Sequence, residues 1–230
     1  MLKNLIAFWK GKEFLSQVLG DFDSMLRDGE VMFTEAYRKL HGKETSADLK
    51  DRIYSLDREI NRLEREIRRR IVEHLSLQPG VDVPACLVLM SVVKDAERLG
   101  DYCKNLYEVT ELLEKPLSPE LLKDYFENTD QELPALFLKA REAFIKSDER
   151  AAHEIIQLER TIIKRCDKVI HRLAKSNLET NEAVCMTLLA RHLKRLAAHL
   201  ANITSSVVVP ISSLDFFDEK SRHEVNDTSP

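Results

Sequence analysis

Glu97 and Asp101 stand four residues apart in the stretch "KDAERLGDYCKNL", Lys94 to Leu106, and Asp57 and Asn61 have the same spacing in "LDREINRLEREI". On a helix, residues four apart share a face. If the two helices are neighbours, three carboxylates and an amide meet along one edge. Oxygen donors of this kind suit hard or borderline cations such as Mg, Mn, Fe or Zn. The same residues also suit a solvated acidic edge paired with Arg58, Arg62 and Arg98, and spacing alone favours that plainer reading. Gly100 lies between the two α-helical acids. Glycine inside a helix costs ~1 kcal/mol against alanine, so its presence predicts a close approach to the backbone at that point.

Other chemistries find less support. A ferritin-like di-iron site needs Glu-x-x-His on facing helices, and none of the seven histidines completes that motif. There is no G-x-S-x-G, P-loop or dinucleotide fingerprint. His192 and His199 read as packing or surface residues rather than ligands. No nucleophile stands beside a base, so no enzymatic activity is expected. Cys86, Cys103, Cys166 and Cys185 are far apart and form no C-x-x-C. They read as reduced thiols of a cytoplasmic protein, with Cys103 and Cys166 acting as small apolar residues.

The elements that must position these residues are helices. Only six glycines and seven prolines occur in 230 residues, too few for a strand-rich fold with many tight turns. A net charge of −4 counts against a general nucleic-acid binder. The run Arg68–Arg70 reads as a solvated helix face with one stem lying on the core, in preference to a phosphate contact. The clearest helix runs through Ile53, Leu56, Ile60, Leu63, Ile67, Ile71 and Leu75, steps of three and four that bury one narrow seam. Thr45 and Ser46 are read as its N-cap, with Asp48 three after Thr45. Before it lies a helix from Glu13 to about Leu40, ended at His41-Gly42. After the turn "SLQPGVDVP" comes a third, Ala85 to about Leu113, with Leu89, Val92, Val93, Ala96, Leu99, Cys103, Leu106 and Val109 inward.

Ser118-Pro119-Glu120 reads as an N-cap, a first-position proline and a first-turn acid. It opens a fourth helix to about Lys146, which Pro134 should kink or interrupt. Ser147-Asp148 caps a fifth, to about Lys175, and a sixth runs from about Glu182 to Val207 before Pro210. Residues 210–230 read as a polar, disordered tail. No segment approaches the ~20 apolar residues of a membrane span. The apolar start Leu5 to Trp9 is too short to read as a signal peptide, and Met1 to Lys10 reads as an end packed on the core, with an amphipathic anchor as the other reading.

The halves match each other. "TSADLKDRIYSLDREI" from Thr45 aligns with "SDERAAHEIIQLERTI" from Ser147, and "AERLGDYCKNL" from Ala96 with "LKRLAAHLANI" from Leu193. Two matches in the same order argue for an internal repeat. The expected architecture is all-α: two tandem antiparallel three-helix bundles, 11–115 and 116–209. Glu159 takes the place of Asp57, Ile163 of Asn61, Lys194 of Glu97 and Ala198 of Asp101. One carboxylate remains of four positions, and Lys194 is expected to pair with Glu159, an ammonium in place of a metal.

These residues resemble the PhoU family. "KDAERLGDYCKNL" is similar to its "LERIGDHA-x-NI"-like signature, "LDREINRLEREI" to the preceding helix with its second Glu-x-x-x-Asp, and "LARHLKRLAAHLANI" to the second-repeat copy. The likeness covers Glu13 to Val207. It implies a cytoplasmic, non-enzymatic adaptor that regulates phosphate uptake and phosphate-starvation signalling. The implied partners are a phosphate transporter, ABC-type or sodium-coupled, and a sensor histidine kinase. Nucleic acid is not among them, the membrane is reached through the partner, and homodimers are in keeping with the family. It also implies a multinuclear iron or zinc cluster, here on Asp57, Asn61, Glu97 and Asp101 of the first repeat only. The rival from another class is a metal-dependent hydrolase or metal-storage bundle using the same carboxylates.

Overall fold

The computed structural model describes residues 13–43, 46–127 and 129–214. Among the described residues, seven α-helices and one 3-10 turn carry the chain. They are α1 Glu13–Leu40, α2 Leu49–Leu77, α3 Val83–Leu112, α4 Pro119–Phe126, α5 Thr129–Lys146, α6 Glu149–Leu173, α7 Thr180–Val208 and the turn Ile211–Ser213. The fold is all-α, in two groups, α1–α3 and α5–α7. None of these helices is long and apolar enough to cross a membrane.

Local chemistry sets most of the boundaries. α1 ends where Gly42 takes a left-handed φ of 63°. Gly42 N–H bonds Lys39 C=O at 2.9 Å and Lys43 N–H bonds Arg38 C=O at 3.1 Å, the two crossed bonds of a Schellman stop. Ser118 caps α4 by accepting from Leu121 N–H at 3.1 Å, and Asp148 caps α6 by accepting from Ala151 N–H at 3.0 Å. α2 differs from expectation: its N-cap is Asp48, which makes no side-chain cap bond. Ser46 instead donates its hydroxyl to the Asp48 carboxylate, and Thr45 lies outside the described residues.

The expected fourth helix is two helices. The break falls at Glu127, whose φ is 52°, and not at Pro134, which sits inside α5. Near a helix start, a proline disturbs only the turn behind it. The tail also begins later than expected. Ile211–Ser213 forms a 3-10 turn against α3, and Leu214 is buried, because this apolar start can still reach the core. The polar run beyond it, and Met1–Lys10, lie outside the described residues.

α1 packs on α5 and α3 packs on α7, so these four helices share one core while α2 and α6 flank it. Phe22 meets Phe144 at 4.8 Å and Phe33 meets Phe137 at 5.4 Å between ring centroids, tying α1 to α5. Each ring is buried and contributes on the order of 2 kcal/mol. α3 is enclosed by α1, α2 and α7, which explains why its buried residues run almost all round the helix. On α2 the seam is narrower. Ile53, Ile60, Leu63, Ile67 and Ile71 are buried, whereas Leu56 and Leu75 are only half-buried. Asp57 lies deeper than Leu56, at 8% exposure, which puts a carboxylate at the edge of the core.

Candidate functional site

α2 and α3 run antiparallel, and a single line of contacts descends between them. Tyr54 donates its hydroxyl to Glu108 at 2.7 Å. Lys104 Nζ donates to both oxygens of Asp57 at 3.0 Å. One turn further, Ile60 closes on Gly100. A Cβ built on Gly100 would stand 2.9 Å from Ile60 Cδ1. The close approach expected at Gly100 is therefore an isoleucine of the neighbouring helix, and the glycine lets α2 come near enough for Lys104 to reach across.

The expected carboxylates do come together. Lys104 Nζ also donates to Asp101 Oδ1 at 3.1 Å, so one ammonium joins α2 and α3. Asp101 Oδ2 accepts from Arg98 at 2.9 Å, and Arg98 Nε lies 3.4 Å from Glu97 Oε2. Asn61 is half-buried one turn beyond Asp57. Burial is the main force that raises the Glu97 pKa. The charges of Asp101, Glu64 and Asp57 add to it, and Arg98 opposes it. For Lys104, burial works against the charge, but the hydrogen bonds to Asp57 and Asp101 outweigh it and hold the pKa above the ordinary lysine value.

Sequence reasoning missed Lys104, although it lies three residues after Asp101 on the same face. It matters for any metal. Both oxygens of Asp57 and both of Asp101 already accept from cationic side chains, and Glu97 faces Arg98. Among the described residues no group of three or more His, Cys, Asp or Glu is placed to hold a metal ion. In this arrangement the donor set does not fit an iron or zinc cluster unless the ammonium moves away.

The second repeat is locked differently. Glu159 is buried, Ile163 and Ala198 are half-buried, and Lys194 Nζ donates to Asp167 at 2.6 and 2.8 Å. The carboxylate found on Lys194 is thus Asp167, two turns along α6 from Glu159. Arg68, Arg69 and Arg70 all pair with carboxylates, Glu64, Glu66, Glu73 and Asp21, in keeping with a solvated face.

The seam between the repeats holds a polar cluster that the sequence reading did not single out. Asp95 on α3 is 1% exposed. Its Oδ1 lies 2.7 Å from His199 Nδ1 and accepts from Asn202 Nδ2 at 3.1 Å, both on α7. Its Oδ2 is buried without a hydrogen-bond partner. Tyr102 stacks on His199 with centroids 5.5 Å apart and tilts against His192 at 5.9 Å. Burial lowers the His192 pKa, Glu108 opposing and Arg191 assisting. The signal available was Asp95 itself, a charge among Val92, Val93, Ala96 and Leu99. The four cysteines are buried free thiols, and burial pushes the Cys166 thiol up to about 12.

Comparison with known proteins agrees with this layout. The model of the PhoU domain matches residues 22–110 and 135–207, one segment for each repeat. The phosphate-specific transport system accessory protein PhoU homolog of Synechocystis is 27% identical over 192 residues, 80% of this chain and 84% of that protein. The corresponding homolog 1 of Thermotoga maritima is 30% identical over 100 residues, 41% of this chain and 42% of that one. The crystal structure of PhoU from Pseudomonas aeruginosa superposes with a TM-score of 0.74 at 21% identity, covering 87% of this chain and 98% of that one. The phosphate transport system regulatory protein PhoU from Streptococcus pneumoniae gives 0.67 at 19% identity, covering 89% and 97%. With the family model matching both halves in the order of their helices, the chain belongs to the PhoU family.

Proposed function

We propose that this protein is a regulatory adaptor of phosphate uptake and phosphate-starvation signalling, working in the cytoplasm on a phosphate transporter, a sensor kinase or both. The observation that carries the reading is the match of the PhoU domain to both three-helix repeats. It is supported by relatives named as accessory proteins of phosphate-specific transport. The adaptor role needs broad faces rather than a reaction centre. α2 and α6 flank the shared core and offer long charged outer faces. A hydrolase or storage bundle would need the first-repeat carboxylates open to a metal, and here Lys104 and Arg98 close them.

Deleting the gene in its host tests the proposal. Phosphate uptake in phosphate-replete cells should rise, or starvation genes should be expressed despite ample phosphate, and a plasmid copy should restore restraint. Unchanged uptake together with unchanged starvation expression would overturn the reading.

A further inference from the structure

We propose that Lys104 is the built-in cation of the first repeat: its ammonium occupies the place between α2 and α3 where a divalent ion would otherwise be held. An ammonium has three N–H donors, and the three carboxylate oxygens around Lys104 Nζ lie at 3.0, 3.0 and 3.1 Å. Its hydrogen-bonding capacity is filled by Asp57 and Asp101 alone. Asp57 is 8% exposed, and a carboxylate so far from water requires a counter-charge. Lys104 supplies it from within the chain, and Arg98 completes Asp101. The pairing register agrees with the rest of the seam, since Tyr54–Glu108 above and Ile60–Gly100 below follow the same antiparallel line. Lys104 therefore sits where the helix packing puts it.

The consequence is that α2–α3 docking in this protein is independent of metal, and that a cation site is latent beneath the ammonium. Removing the charge leaves Asp57 and Asp101 facing each other across the seam, with Arg98 still bonded to Asp101 and with Glu97 beside them. Such a pair of hard oxygen donors selects a hard divalent ion. The inference holds whichever partner the protein serves.

The test uses the full chain, freed of metal by chelation, as wild type, Lys104→Met, Lys104→Gln and Lys104→Met with Asp57→Asn. Methionine keeps the apolar stem, and glutamine provides a second variant should the first not fold. Each is titrated with MnCl₂ by calorimetry, and its thermal midpoint is read with and without Mn²⁺. Wild type should show no saturable uptake and no shift in midpoint. Lys104→Met should melt lower, bind Mn²⁺ at least about ten-fold tighter than wild type, and recover its midpoint when the ion is added. Asp57→Asn should abolish that uptake. Wild type binding Mn²⁺ as tightly as the variant, or neither Lys104 variant gaining uptake, would overturn the proposal.

Discussion

The two repeats solve the same problem at different heights. In each, a lysine on the third helix crosses to an aspartate on the second: Lys104 to Asp57 in the first repeat, Lys194 to Asp167 in the second. The sequence alignment sets Ala201 opposite Lys104 and Glu159 opposite Asp57, so the second lock lies about two turns away along the same antiparallel contact. What the repeat conserves is the contact line and the charge lock, while the residues that make it have moved. A carboxylate motif surviving in the first repeat is therefore no evidence by itself for a metal. Environment differs too. The side chains of Lys104 and Asp57 are 21% and 11% exposed, those of Lys194 and Asp167 27% and 45%.

The crossing of α3 and α7 offers the sharpest contrast and the largest expected effect. Asp95 faces His199, while at the related position His192 faces Tyr102. His199→Ala leaves the buried Asp95 carboxylate with Asn202 as its remaining hydrogen-bond donor and should cost about 3 kcal/mol in urea unfolding, whereas Asp95→Asn with His199→Ala should cost less than the sum of the two. Next come the locks. Lys104→Met should cost about 2 kcal/mol and Lys194→Met less than about 1 kcal/mol, following burial. Equal losses would break the comparison.

The turns before the second helix of each repeat share the Schellman geometry. The first uses Gly42 and the second uses Ser147, with φ 51° and a buried hydroxyl lacking a partner. Ser147→Gly should stabilise by about 1 kcal/mol, and Gly42→Ala should destabilise by a similar amount. The smallest effect is set by pH. Burial lowers the His192 pKa below its unfolded value of 6.5. The unfolded chain then binds the proton more readily, so this contribution is complete above pH 6.5 and is lost as the pH falls below it. His192→Gln should flatten the acid side of a stability–pH curve, leaving the alkaline side unchanged.

Helix identity was legible because caps and apolar spacing are local. Glu13–Leu40 and the Ser118-Pro119 start needed no tertiary information. The break at Glu127 was not, since a left-handed glutamate leaves no compositional mark as a proline does. Among the site residues, Asp57, Glu97 and Asp101 were legible from spacing. Their partner was not, because whether Lys104 reaches solvent or Asp57 depends on how closely α2 approaches Gly100. The Asp95–His199 contact required knowing that α3 packs on α7, a pairing between repeats that no periodicity within one helix reveals.

The most direct test of the whole account is capture of the tagged protein from membranes of its host, grown phosphate-rich and phosphate-starved, with a divalent-metal chelator present or absent and metal content assayed on the same sample. The account predicts recovery of a phosphate transporter component or its sensor kinase, a yield that changes with phosphate supply, and no effect of the chelator. Capture that collapses on chelation and returns with added metal, or a metal-loaded protein with no partner in either growth condition, would contradict it.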